Sequence, residues 1–376
     1  MREGPHPLAV HLGMAASNMA GMQAYVAQPQ LLLSEASAVK MMRGIQLYQR
    51  HDFKQPLLKT REVWRCGGVS ILEPIMQDQH QIASAAPLLL IPSLINKSNI
   101  LDLSEEHSVL RWLRKNGVEA YLLDWGDFTS DDDCHMDMDS LILNRLCPAI
   151  EYMAQAHGAA IDVLGHCIGG TLALAAASLS PDHIRCMVLL SAPWDFMDET
   201  FNLAKNVRIW SQFLVPSVSD AGALSKYWTQ ALFASLDPQG SSQKFINFSE
   251  MDQNGEQARH FVRVEDWLND GADVPAAIAS ACIEGWFTRN NPINGLWTVG
   301  GYGVDLGLIQ SNVLIVASKT DNLVPYSCAI AAQNDLTNSN VRCVDGGKGH
   351  IGLVLGRQSI ERVWKPISDH LIAAKK

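Results

Sequence analysis

Charge is scarce in this chain of 376 residues, and what there is leans acidic: 29 basic against 39 acidic side chains give a formal net charge of 29 − 39 = −10. A binder of phosphate backbones carries the opposite balance, so no nucleic-acid partner is expected. Charged residues make up only 18% of the sequence against 47% hydrophobic, which supplies a large core and leaves room for apolar partners. Long apolar runs are missing as well. The best stretch, 169–179, is short and Ala-rich, below the roughly 18 residues that a spanning helix needs. Near the N-terminus His6, His11 and Asn18 interrupt the apolar stretch 8–22 and no basic region precedes it, so no export leader is expected and the protein is read as cytoplasmic. The cysteines Cys66, Cys134, Cys147, Cys167, Cys186, Cys282, Cys328 and Cys343 show no C-x-x-C spacing, which points away from a zinc ribbon or a redox dithiol and toward free thiols. No metal is expected, and no internal repeat is evident.

From Pro87 onward, short apolar runs alternate with longer amphipathic ones, the pattern of β-α units around a mostly parallel sheet. Strands are expected at 88–92, 119–124, 160–164, 186–190, 312–318 and 340–344, each apolar and bounded by Pro, Gly, Asp or Ser. Crossover helices are expected at 105–116, 139–157 and 171–180, with Gly117 and Gly158 as stops after the first two. The regularity breaks at 195–310, where tryptophans punctuate helical pieces and Gly/Pro-rich turns. The resulting domain expectation is an N-terminal helical extension at 1–65, a core formed by 66–194 and 311–376, and an inserted cap at 195–310. A Met/Ala-rich helical segment and a strand pair at 64–72 precede the core.

Within the core, Ala160 begins a strand that ends in Gly165-His166-Cys167-Ile168-Gly169-Gly170-Thr171 and continues as an Ala-rich helix. This is a G-x-C-x-G turn between strand and helix, with Cys at the nucleophile position. Small flanking residues let strand and helix approach closely, and the helix N-terminus, which favours negative charge, is aimed at the thiol. The backbone N–H of Ile168 is the expected oxyanion donor, joined by one from the turn after the first core strand, with Leu94 the chosen residue. Ser93 and Asn96 in that turn are alternatively caps of the next segment. Two later strands end in Asp321 and in Gly349-His350, giving the order nucleophile, acid, histidine, which resembles the α/β-hydrolase arrangement. In it Asp321 accepts the imidazole N–H and His350 takes the proton of Cys167. Asp305 and Asp345 are the competing acids, and His166 is read as packing or pocket lining.

Several runs resemble polyhydroxyalkanoate synthases: Leu90-Ile-Pro-Ser-Leu-Ile-Asn-Lys followed by Ile100-Leu-Asp-Leu, the run Leu122-Leu-Asp-Trp-Gly, the Cys elbow, and Gly349-His-Ile-Gly. The likeness runs from about Pro87 to the C-terminus, and the short chain is similar to the catalytic subunit of two-subunit synthases. It differs in carrying Asn322 where such enzymes often have His after the acid. The resemblance implies an α/β-hydrolase fold and an acyltransferase that polymerises (R)-3-hydroxyacyl-coenzyme A. It implies no cofactor, the coenzyme A thioester being the substrate. The implied partners are a polyester chain or granule surface, a second synthase subunit and a homodimer. A thioesterase, esterase or depolymerase on the same fold is the alternative, and a granule scaffold with a vestigial triad a further one.

Overall fold

Eight strands line up as one sheet: β1 (Thr60–Cys66), β2 (Val69–Pro74), β3 (Leu88–Ile91), β4 (Ala120–Asp124), β5 (Ile161–His166), β6 (Ile184–Leu190), β7 (Asn312–Ala317) and β8 (Asn340–Asp345). Their spatial order is β1-β2-β4-β3-β5-β6-β7-β8. The hairpin β1-β2 and the pair β2-β4 are antiparallel, and every pair from β4 to β8 is parallel. Strands β3 and β5 are buried at every position, which is why β3 reads as a continuous apolar run, while in β5 the buried Asp162 is paired with Arg185. All six expected core strands are present, with ends shifted by at most a few residues.

The computed structural model describes residues 2–6, 8, 35–78, 81–130 and 132–374. It divides into two units, a sheet unit of Leu57–Leu224 and Ala272–Lys376 and a helical unit of Met1–Pro56 and Ser225–Gly271. In the sheet unit the crossover helices run Val109–Lys115, Cys147–His157 and Ile168–Leu179. The second ends on Gly158, whose φ of 65° is the left-handed conformation that lets its N–H close on the carbonyls of Ala154 and Gln155. Helix Ile168–Leu179 is buried from Ile168 through Ser178, so it is mostly Ala, Gly and Leu without a polar face, and the Thr171 and Ser178 hydroxyls bond to backbone carbonyls.

After β6, the long helix Asn202–Ala221 packs on Ala276–Ser280 and Ala281–Thr288. Trp194, Phe196, Trp286 and Trp297 meet there in one buried cluster, with ring centroids 5.6 Å apart for Phe196–Trp286 and 5.1 Å for Trp286–Trp297. A short antiparallel ribbon, Ala223–Leu224 against Val274–Pro275, stands where the chain leaves and re-enters this unit.

The helical unit has its own core, in which Met41, Ile45 and Tyr48 of helix Glu35–Arg50 meet Phe245, Ile246 and Phe248 of helix Pro238–Ser249. Helices Lys226–Leu236 and Glu256–Asn269 complete it. Most of the expected Met/Ala-rich segment lies outside the described residues. The boundaries expected at 65, 194 and 310 do not coincide with this division: 225–271 groups with the N-terminal residues, while 195–224 and 272–310 group with the sheet. The physical reason is packing, since Phe245 and Phe248 find their apolar neighbours on helix Glu35–Arg50. No helix of the described residues is long and apolar enough to cross a membrane.

Candidate active site

Strand β5 delivers Cys167 to a turn with φ 54° and ψ −130°, a conformation that residues with a Cβ rarely adopt. Two backbone bonds over-determine it, Cys167 N–H to the Leu190 carbonyl at 2.9 Å and Gly170 N–H to the Cys167 carbonyl at 2.8 Å. The glycines are required by contact. A Cβ on Gly165 would stand 2.3 Å from the Gly170 Cα, and one on Gly169 2.3 Å from the Pro92 carbonyl oxygen. The elbow helix is further tied down by the Thr171 hydroxyl, which donates to the Pro193 carbonyl at 2.7 Å.

Asp321 follows β7 and is buried, its carboxylate fully used. Oδ1 accepts the N–H groups of Leu323 and Val324 at 2.8 and 2.9 Å, and Oδ2 accepts the Ser191 hydroxyl and His350 Nδ1, both at 2.8 Å. The loop that presents His350 is held from the same side: Gly349 N–H donates to the Ser318 hydroxyl at 3.1 Å, and that hydroxyl donates to the Gly347 carbonyl. Burial alone would raise the Asp321 carboxyl, but His350 and these hydrogen bonds together hold it below its ordinary value. For His350, burial opposes the charged ring, yet Asp321 and the neighbouring Cys167, by charge and hydrogen bonding, keep its pKa well above the usual imidazole value. The structure thus brings Cys167, His350 and Asp321 together.

The loop after β3 lies against the elbow through Gly169 and Pro92. The Trp125 indole donates to the Pro92 carbonyl at 2.9 Å, so the Leu-Leu-Asp-Trp-Gly run holds this loop in place. Ile168 opens the elbow helix, and a first-turn N–H has no acceptor within its helix. Leu94 is buried two residues beyond Pro92. No side chain caps the short helix Ser98–Leu101 that follows.

The competing acids are engaged in their own turns, Asp345 accepting from Gly347 N–H at 3.1 Å and Asp305 from Gly307 N–H at 2.8 Å. Asn322 is exposed. Burial pushes the Cys282 thiol up to about 12 and holds Cys328 far above its ordinary value, the reverse of an activated thiol. Sequence reasoning missed Ser191 and Ser318. Ser191, at φ 48° just past β6, had one signal: a small polar residue at a strand end beside the elbow strand.

The comparisons with known proteins agree with the resemblance stated above. The chain is 28% identical over 286 residues to the poly(3-hydroxyalkanoate) polymerase subunit PhaC of Haloferax mediterranei, a match covering 75% of this chain and 58% of that protein. It is 28% identical over 294 residues to the PhaC subunit of Allochromatium vinosum, covering 77% and 81%. To that of Cupriavidus necator it is 29% identical over 285 residues, covering 72% and 47%. A family model of the alpha/beta hydrolase fold matches residues 87–356, from the edge of β3 through the helix that starts at His350, and the chain belongs to that family.

Proposed function

We propose that the protein is an acyltransferase that polymerises (R)-3-hydroxyacyl groups from their coenzyme A thioesters, with Cys167 as nucleophile, His350 as base and Asp321 as its orienting acid. The observation that carries this reading is the strained Cys167 beside an imidazole whose other nitrogen is bonded to a buried carboxylate at 2.8 Å. Relatives named as poly(3-hydroxyalkanoate) polymerase subunits support the substrate class.

The first step exchanges one thioester for another. The Cys167 thiolate attacks the acyl carbonyl, the C–S bond to coenzyme A breaks, and the proton held by His350 goes to the leaving thiolate. In the second step His350 takes the proton of a 3-hydroxyl, whose oxygen attacks the Cys167 thioester and releases the thiolate. Both steps pass through an oxyanion, for which the Ile168 N–H and the Leu94 N–H are the donors in this reading. A thiol suits the task because its ester with the acyl group stays activated for the second transfer, and no cofactor is needed. The growing polyester or its granule surface, a second synthase subunit and a second copy of the chain are the partners that follow from it. The segments 195–224 and 272–310, which group with the sheet, have in this reading the role of excluding water, the competing nucleophile.

The test is incubation of the purified protein with (R)-3-hydroxybutyryl-coenzyme A, following thiol release and analysing the acyl product. Release with oligomer as product, abolished in Cys167→Ala, is expected. Free hydroxy acid as the sole product would make the protein a thioesterase, and release that survives Cys167→Ala would overturn the assignment of the nucleophile.

A further inference from the structure

His166 ends β5 immediately before the nucleophile, and the residue is only 4% exposed. Neither ring nitrogen has a hydrogen-bond partner among the described residues. A buried donor or acceptor left unmet is destabilising, and a phenylalanine in the same place would avoid that penalty. Such a group in a folded protein needs a reason. Its surroundings offer one. Gly165 faces the elbow helix, and side chains alternate along a strand, so His166 points to the opposite face of the sheet. There its ring lies 5.4 Å from the ring of His350, tilted by 33°.

Charge settles the state of that ring. A protonated His166 would set a second cation beside the His350 imidazolium and bury two unpaired N–H groups. Burial and His350 both push its pKa down, to about 3, against the smaller opposite pull of Asp321. Because no partner fixes its tautomer, either nitrogen can carry the lone pair and turn its negative end toward His350.

We propose that His166 is a positioning residue that acts through His350: its neutral ring keeps the imidazole from swinging away from Asp321 and Cys167, and its dipole favours the imidazolium. This rests on the roles assigned above to Cys167 and His350. The thiolate of Cys167 and the cation of His350 stabilise each other, so weakening the cation moves thiolate formation to higher pH.

The experiment is the rate of carbamidomethylation of the Cys167 peptide by iodoacetamide as a function of pH, read by mass spectrometry. His166→Phe keeps the ring volume and removes the nitrogens, and it should react about 3–10-fold more slowly at neutral pH, a shift of about 0.5–1 pH unit. His166→Gln, neutral but dipolar, should recover at least half of that shift, an effect that packing alone would not produce. If the Phe variant does not fold, His166→Leu takes its place in the comparison. A Phe or Leu profile that coincides with that of the unsubstituted protein would overturn the proposal. Failure of the underlying reading looks different, because Cys167 in the unsubstituted protein would then react no faster than the remaining cysteines.

Discussion

Two histidines, at the end of β5 and at the start of the helix His350–Leu355, occupy neighbouring positions and meet opposite electrostatic fates. Both are largely shielded from solvent and their rings lie 5.4 Å apart. His350 is held well above its ordinary pKa and His166 is pushed down to about 3. Burial opposes charge on both, so burial does not distinguish them. The difference lies in partners: His350 has a carboxylate on Nδ1 and a thiol beside it, whereas neither ring nitrogen of His166 has a hydrogen-bond partner among the described residues. The charge of the Asp321 carboxylate, reinforced by its hydrogen bond to Nδ1, therefore favours protonation of His350 and not of His166.

The most drastic way to break the contrast is to remove the anion. Asp321→Asn keeps the shape but takes away the charge that supports His350, and it permits the wrong imidazole tautomer. We expect turnover to fall by about 10³-fold and the pH profile to show a lowered His350 pKa, measured by steady-state kinetics across pH.

A second test exploits linkage. The folded pKa of His166 is depressed, so its contribution to stability is present above its ordinary value of 6.5 and is lost as pH falls toward about 3. That loss amounts to about 1.4 kcal/mol per pH unit. His350 has a raised folded pKa, so its contribution is complete below the ordinary imidazole value and is lost as pH rises through the folded one. The two arms together place their joint optimum near the ordinary imidazole value. His166→Phe should flatten the acid arm, gaining about 2 kcal/mol on the unsubstituted protein between pH 6.5 and 5, as read from denaturant midpoints. An acid arm of unchanged steepness would contradict the account.

The mildest perturbation sharpens the comparison. Ser191→Ala removes one of the four hydrogen bonds on the Asp321 carboxylate. It should destabilise the fold by about 1 kcal/mol and slow turnover only a few-fold, with the pH profile of His350 nearly retained.

What the sequence disclosed and what it withheld follow from the range of the interactions. Strand β3 is apolar at each position because both faces are buried, and the apolar centre of β5, Val163 and Leu164, carries the same local signal. The elbow was legible for the same reason, its glycines being required by contacts between Gly165 and Gly170, five residues apart. Asp321 and His350 stood out because each follows a strand in the right order. Ser191 is different, since its bond to Asp321 spans 130 positions and no periodicity marks it. The allegiance of 225–271 was hidden likewise: an amphipathic helix advertises an apolar face but not which surface will cover it. His166 was read as packing, and what distinguishes it from an ordinary core residue is that its ring nitrogens have no partner among the described residues.

The central claim is that Cys167 forms a covalent thioester during turnover. The direct measurement is acid quenching of the protein mixed with (R)-3-hydroxybutyryl-coenzyme A, followed by peptide mass spectrometry. The account predicts an acyl adduct on the peptide carrying Cys167 that accumulates in His350→Gln no faster than in the unsubstituted protein and is missing in Cys167→Ala. An adduct on another residue, or turnover without one in Cys167→Ala, would contradict it.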